Sequence, residues 1–542
     1  MDPHGDEVLD AELARGLDAA APALREWCLQ KEITYELDRW FTNGRSTALV
    51  GVVYETDHHT NTAQKLVLKL DTTTAGAPGA AEYTRQRRAV SESPKFAKRH
   101  LAELAEPGHD LVRVGDGRWI LFQKIASGSL DDLDVMTKLL ASVRTGGPVG
   151  STASAHRTIT CGSTTFARLC GRIVRGVLAD WQGKPGLQRT SVTGLLDLHL
   201  GARLKPGGPL DNLAQKLTAT TLRIPGEPDP LPNPFALALD TRLTQDIPVR
   251  ALVGKAHGDL HTENILVPVR DSVDASPFRL IDLAKYDSSA PLTRDPVHLL
   301  LYIIARAMPD LSDGQSDALI DELIAPDSGR GAVLPEWLRT LITTVRRTGE
   351  EWTFPSGLVA EWRGQTQLSL LACALMFLAR PSTRDTDRLW FLRLAARAGR
   401  AYLGPHRTPT GDDAMPVEEP ILRQNLSRTT TAGEGGIWVA RLCEYLPYMK
   451  LKARQQDRIA EVEALETGAK TGADLKEPFI ELVRKLGGPT DGLRDPGPDS
   501  HPVDEVYTCP LSVPCPRAER RKPSDPEPTC HLKPGTMRSE FW

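Results

Sequence analysis

The 542-residue sequence predicts an α+β architecture: a small antiparallel β lobe, a larger and mainly helical lobe, and a helical, proline-rich C-terminal extension. Three observations predict it. β-Prone runs crowd residues 33–125, apolar patterns of helical period dominate from Pro296 to Leu403, and 11 prolines fall between Pro489 and Pro534. Composition agrees with a globular chain, at 40% hydrophobic and 25% charged residues, and excludes a disordered or fibrous protein.

In chain order, residues 1–30 read as one amphipathic helix, with Leu9, Leu13, Leu17, Ala20 and Leu24 at helical spacing. Residues 31–126 form the β lobe. ITYELDRW and ALVGVVYE flank FTNGRST, and an Asn-Gly pair between β-prone runs predicts a hairpin because both residues tolerate positive φ. KLVLKLD follows as a strand with Leu66, Leu68 and Leu70 on one face and Val67 and Lys69 on the other. A helix, AAEYTRQRRAV, precedes two strands around DLVRVG and RWILFQKI.

Residues 127–405 read as a helical lobe interrupted by a strand-and-loop segment at 257–287. Its apolar run LSLLACALMFLA, from Leu368, is 12 residues long, short of the ~20 needed to span a bilayer, so it predicts a buried core helix. Residues 406–435 read as a polar linker, 436–488 as a helical extension and 489–542 as a tail without regular packed elements, since proline removes a backbone donor. The acidic N-terminus has no apolar signal core, which makes a cytoplasmic location the expectation, with no membrane partner. A net charge of −4 argues against a nucleic-acid-coating role.

The chemistry concentrates in HGDLHTENILV at 257–267 and LIDLAKY at 280–286. Asp259, Asn264 five residues on, and Asp282 after a short hairpin are the parts that phosphoryl transfer needs. Mg²⁺ prefers oxygen ligands and keeps several waters, so an Asn, an Asp and nucleotide phosphates suffice to hold it. A further Asp can orient a hydroxyl and accept its proton.

Here the chain resembles the protein-kinase-like superfamily, in its aminoglycoside phosphotransferase and choline kinase branch, which carries HGDLHxxN where protein kinases carry HRDxxxxN. The resemblance covers roughly residues 33–400. It implies a bilobal fold binding ATP and Mg²⁺, with Asp259 as catalytic base, Asn264 and Asp282 as metal ligands, and His257 and His261 bracing the loop. It implies Lys69 as the phosphate-binding lysine paired with Glu82, Glu92 being the competitor, and Gly44 and Ser46 in a loop over the phosphates. Backbone groups of Gln123 and Ile125 would meet the adenine edge, with Phe122 behind it.

Departures are informative. LeuAlaLys follows Asp282 where protein kinases have PheGly, and neither the arginine of HRD nor an AlaProGlu segment is present, which disfavours switching by loop phosphorylation. Asp295 before Pro296 reads as a helix N-cap, although the resembled family has an Asp here that supports the catalytic loop. The long helical lobe and tail also resemble kinase-like accessory modules of bacterial multi-component systems, the ternary-complex-associated domains.

Of eight cysteines, Cys509, Cys515 and Cys530 lie in the tail with His531 and His501. Their spacing lacks the tight pair typical of structural zinc sites, so a flexible tail with reactive thiols, or with a short recognition motif for a protein partner, is preferred to a zinc site. The expected function is transfer of the ATP γ-phosphate to a hydroxyl on an unknown small-molecule or protein acceptor. The competing expectation is a nucleotide-gated scaffold with weak or no transfer.

Overall fold

The computed structural model describes residues 8–40, 49–70, 80–103, 105, 109, 111–114, 118–124, 133–150, 158–206, 208–244, 247–269, 278–326, 329–380, 383–404, 414–417, 422, 442, 446, 449–450, 453, 456, 458–471, 475–485, 505–508, 518–521 and 538–539. They fall into two compact units: residues 1–44, 48–378 and 386–419, and residues 45–47, 379–385 and 420–542. The first mixes helices with mainly antiparallel sheets, as an α+β chain requires.

Its N-terminal part is a five-stranded antiparallel sheet built from β1 (Ile33–Trp40), β2 (Leu49–Asp57), β3 (Thr62–Leu70), β4 (Val112–Arg113) and β5 (Trp119–Lys124), in the order β1-β2-β3-β5-β4. In β3, Leu66, Leu68 and Leu70 are buried while Val67 and Lys69 are half-buried on the opposite face, the alternation that a one-sided strand needs.

The buried face is covered from the chain's own beginning, by two helices in place of the single one expected. Helix α1 (Ala11–Leu17) stops because Asp18 takes φ +48°, and Pro22 stands in the first turn of α2 (Ala21–Lys31). Asp10 caps α1, accepting from the Glu12 and Leu13 amides at 2.6 and 3.2 Å, and its other oxygen accepts from Leu37 N of β1 at 2.6 Å. Leu13, Leu17, Leu24 and Cys28 share one apolar cluster with Tyr35, Leu66, Leu68 and Phe122. Each leucine so buried contributes roughly 1.5–3 kcal/mol. Two further helices, α3 (Ala80–Glu92) and α4 (Pro94–His100), follow β3.

Beyond these the chain continues through α5 (Met136–Thr145), α6 (Ser163–Arg175), α7 (Val192–Leu200), α8 (Asp211–Lys216), α9 (Pro234–Leu239), α10 (Arg294–Ala307), α11 (Asp313–Ile324), α12 (Glu336–Thr353), α13 (Val359–Leu378) and α14 (Asp385–Leu403). Leu368–Leu378 of α13 is buried throughout, the core helix predicted for that run. Among the described residues no helix is long and apolar enough to cross a membrane.

Three three-stranded sheets interrupt these helices, partly within the strand-and-loop segment expected at 257–287 and partly where a mainly helical stretch was expected. Strand Pro248–Ala256 lies between Gly186–Ser191 and Asp287–Pro291; Ile265–Pro268 lies between Leu133–Val135 and Arg279–Leu280. Gly186–Ser191 is an exposed edge strand with no apolar alternation, which leaves it without a sequence signature. The third sheet pairs Leu222 and Arg223 in parallel with Met415 and Pro416, so the linker expected at 406–435 contains a docked strand.

In the second unit, helices Ile459–Thr471 and Lys476–Lys485 pack together, with Val462, Leu465, Phe479 and Leu482 buried. Strand Glu505–Thr508 lies between Ala518–Arg521 and Arg538–Ser539 in an antiparallel sheet. The tail was expected to hold no regular element. Its prolines all fall outside these strands, which leaves each strand its full set of backbone donors. Cys509, Cys515 and Cys530 lie outside the described residues.

Candidate active site

Two hairpin-like excursions bring the polar motif together. Strand Pro248–Ala256 delivers His257, Gly258 and Asp259, and the strand at Ile265 carries the chain out again. Leu280 pairs with Ile265, Ile281 N donates to Asn264 O at 3.1 Å, and Asp282 then turns the chain with φ +60°. Asn and Asp tolerate this left-handed region better than most residues. The loop 257–264 and the turn 281–286 therefore lie side by side.

Contacts within the loop and across to the turn lock them. His257 Nε2 donates to Ile281 O at 2.8 Å, while its Nδ1 accepts from Asp259 N at 3.3 Å. Gly258 sits at φ +83°, and a Cβ there would lie 2.1 Å from Lys285 O, a backbone atom; only glycine lets the strands approach so closely. Lys285 Nζ donates to Asp259 Oδ2 at 2.8 Å. Asn264 Nδ2 donates to Asp259 O at 3.0 Å.

Asp295 corrects the capping expectation. It lies inside the first turn of α10, whose N-cap is Thr293. Its carboxylate, 3% exposed, accepts from His257 N at 2.7 Å and from Gly258 N at 3.0 Å. Burial pushes its pKa up, against the lowering effects of His257 and the two amides. His298, one turn further along α10 and fully buried, donates Nδ1 to Leu260 O at 2.9 Å and brings Nε2 to 3.6 Å from Asp259 Oδ1. His261 stacks on Tyr302, ring centroids 4.6 Å apart, and its Nδ1 accepts from Glu263 N at 3.3 Å. Both loop histidines are thus engaged in holding the backbone.

Lys69 Nζ lies 2.7 Å from Glu82 Oε2 and 3.8 Å from Asp282 Oδ1. The strand β3 and the helix α3 thus supply a cation and an anion that meet the turn carrying Asp282. Glu92, the competing acid, instead receives Arg88 Nε at 2.7 Å and the Tyr286 hydroxyl at 2.6 Å. Arg85 reaches the Ala284 carbonyl, and Lys255 Nζ reaches Ser93 Oγ at 2.6 Å, which tie α3 and the start of α4 to the same turn and strand.

Gln123 differs from expectation. Its neighbours Phe122 O and Lys124 N bond to Ala105 and Glu103, so strand alternation turns Gln123's own N–H and C=O toward β3, opposite Val67. Its side chain donates to Gln86 at 2.9 Å. Phe122 stacks on Tyr35 in the core, centroids 5.0 Å apart. Gln123 is a sheet residue with its backbone already paired. Ile125, Gly44 and Ser46 lie outside the described residues.

The donor set bears on Mg²⁺. Among the described residues no group of three or more His, Cys, Asp and Glu is arranged to hold a metal ion. Asn264 and Asp282 offer a carboxamide oxygen and a one-third-exposed carboxylate; the Asn264 donor end is engaged with Asp259 O, which directs its oxygen end elsewhere. A pair of oxygen ligands fits a hydrated ion shared with phosphates and does not fit a dedicated all-protein cage.

Sequence reasoning missed Lys285 and His298, and at Asp295 it preferred a cap to the support of the loop that it also weighed. Only Asp295 had a usable signal, the AspPro pair, and a cap produces that signal equally well.

No family model and no curated protein matches the chain. Among solved structures it is similar to the crystal structure of a choline/ethanolamine kinase family protein from Mesorhizobium loti, at 13% identity over 72% of this chain and 92% of that one, with a TM-score of 0.28. At that identity and overlap, the chain's chemistry has to be derived from its own residues.

Proposed function

We propose that the chain is a bilobal, protein-kinase-like phosphotransferase of the aminoglycoside phosphotransferase and choline kinase type. It would move the γ-phosphate of ATP to a hydroxyl acceptor. The observation that carries this reading is the meeting of Lys69, Glu82 and Asp282, from β3, α3 and the turn after Leu280, with Lys69 at 2.7 and 3.8 Å from the two acids. Strand-borne lysine, helix-borne glutamate and turn-borne aspartate are the arrangement that phosphate binding calls for.

Bound Mg²⁺ would supply neutralisation of charge on the phosphate oxygens. Asn264 and Asp282 would hold it. Glu82 fixes the Lys69 ammonium, which would contact the phosphates without reorganising. Asp259 would accept the acceptor's proton as the hydroxyl oxygen bonds to phosphorus and the bond to the β-phosphate oxygen breaks, releasing ADP. His257, Gly258 and Asp295 hold that carboxylate in place through the loop backbone.

One observation favours the second reading, a nucleotide-gated module. Lys285 already neutralises Asp259 at 2.8 Å, and a carboxylate kept in an ion pair is a weaker base. A single experiment separates the two. Asp259→Asn is expected to lower labelled-phosphate transfer by about 10²-fold or more, with Mg-ATP affinity by calorimetry changed less than about twofold. Asp282→Asn is expected to weaken Mg-ATP binding itself. Transfer by Asp259→Asn at the unmutated rate sinks the base assignment; saturable Mg-ATP binding with no labelled acceptor in a metabolite and protein extract selects the module.

A further inference from the structure

Beside Asp259 stands a group of basic side chains that the catalytic reading does not use. On α10, Arg294 and His298 share a face at i, i+4 spacing, and His298 approaches Asp259. His199, in the last turn of α7, is linked to the same helix start: its Nε2 lies 3.0 Å from Ser369 Oγ, which lies 2.6 Å from Thr293 Oγ1. Arg203 follows His199 by four residues.

Two of these groups are unusual in what they lack. Arg294 is 8% exposed, its Nε is sealed from solvent without a hydrogen-bond partner, and among the described residues it forms no ion pair. His199 is 2% exposed, and its Nδ1 is likewise without a partner. Arg203, half-buried, also forms no ion pair among the described residues. Arg203, four residues after His199, and Arg294, next to Thr293, flank the two ends of the hydrogen-bonded chain His199–Ser369–Thr293. Burial first, then Arg294, lowers the Arg203 pKa against the influence of Asp259; burial, then Arg294, Arg203 and His298, holds His199 well below its usual value.

A guanidinium cannot shed its charge at any physiological pH, and a buried one is costly unless an anion faces it. The nearby carboxylates are few: Asp259 is paired with Lys285, and Asp295, which accepts from two backbone amides, feels Arg294 as well. Three cations, Arg203, Arg294 and Lys285, therefore stand against two carboxylates, which leaves one positive charge in excess.

We infer that Arg203 and Arg294 form an anion subsite that takes a carboxylate or phosphate group of the acceptor, beside the hydroxyl facing Asp259. The acceptor is then an anionic alcohol, such as a hydroxy acid or a sugar phosphate, and not a cationic one. Guanidinium forks suit both oxyanions, which they bind through paired N–H donors. This substrate class rests on the phosphotransferase reading, but the subsite is testable without it.

The test is calorimetric titration of the full chain, without nucleotide, using inorganic phosphate and, separately, acetate at constant ionic strength. Saturable binding of at least one probe is expected, weakened about tenfold or more in Arg294→Gln and in Arg203→Gln. Arg203→Gln serves alone if circular dichroism shows that Arg294→Gln does not fold. A preference for phosphate assigns a phosphorylated acceptor, and a preference for acetate a hydroxy acid. Absence of saturable binding overturns the inference, as does binding that Lys69→Met removes and the arginine variants keep. Arginine-dependent binding in a chain that transfers no phosphate would leave the subsite standing and the phosphotransferase reading fallen.

Discussion

Replacing Asp295 by alanine removes the one acceptor shared by the amides of His257 and Gly258, at 2.7 and 3.0 Å. His257 is fully buried, so solvent does not take over. Leaving a buried donor unsatisfied costs about 1–3 kcal/mol, or about 2–6 kcal/mol for two. Burial already disfavours the Asp295 charge, and removing it returns part of that penalty, which brings the net to about 2–5 kcal/mol. At 1.4 kcal/mol per factor of ten, the loop amides should exchange roughly 30- to several-thousand-fold faster with deuterium. Mass spectrometry of a peptide spanning residues 256–262 reads this directly, and it does not require two units to unfold as one. Asparagine separates clamp from cap. As an N-cap Asn equals Asp, whereas a clamp receiving two N–H donors loses one acceptor and gains a clash with an amide. Unchanged exchange in Asp295→Ala, or identical behaviour of Asp and Asn, refutes the clamp.

Gly258→Ala should be as damaging for a different reason. The new Cβ falls 2.1 Å from a backbone carbonyl at φ +83°, so a loss of about 2 kcal/mol or more is expected, seen as faster exchange at both 256–262 and 281–287; unaltered exchange would mean that the turn yields freely. The Glu55–His109 pair predicts a pH dependence. Burial raises the Glu55 pKa, but hydrogen bonds from His109, Tyr35 and Gln64 outweigh it and lower the value; burial lowers that of His109, and Glu55 outweighs it and raises the value. Stability from Glu55 is present above its unfolded value and lost as pH falls through the folded one. That from His109 is present below its unfolded value and lost as pH rises through the folded one. Their joint contribution is fullest between about 4.5 and 6.5, so the thermal midpoint should fall on moving from about pH 5.5 to 8.5. His109→Gln should flatten that fall, and an equal fall in the variant would exclude the pair as its source.

How legible these features were depended on how local their causes are. Lys69 could be read because strand alternation sets its face, and Glu82 because a helix start sets its reach. Asp259, Asn264 and Asp282 could be read because one loop and one hairpin hold them within 24 residues. Arg203, Arg294 and Lys285 could not, since packing between distant helices and a turn assembles them, and a single arginine in sequence looks the same whether solvated or buried. The break at Asp18 was hidden because the leucine spacing continues across it. Gly186–Ser191 was hidden because an exposed edge strand needs no apolar pattern.

The two helices that cover the five-stranded sheet also precede it in the order of synthesis. When β1 emerges, Leu13, Leu17 and Leu24 are already available to close over its apolar side, and the sheet never waits, uncovered, for a distant segment. Lys69 likewise meets Glu82 after 13 further residues. Asp259 follows the end of β5 by 135 residues, roughly 7–27 s at ordinary translation rates of about 5–20 residues per second. The Lys69–Glu82 pair can therefore take shape on the ribosome well before Asp259 and Asp282 have been made.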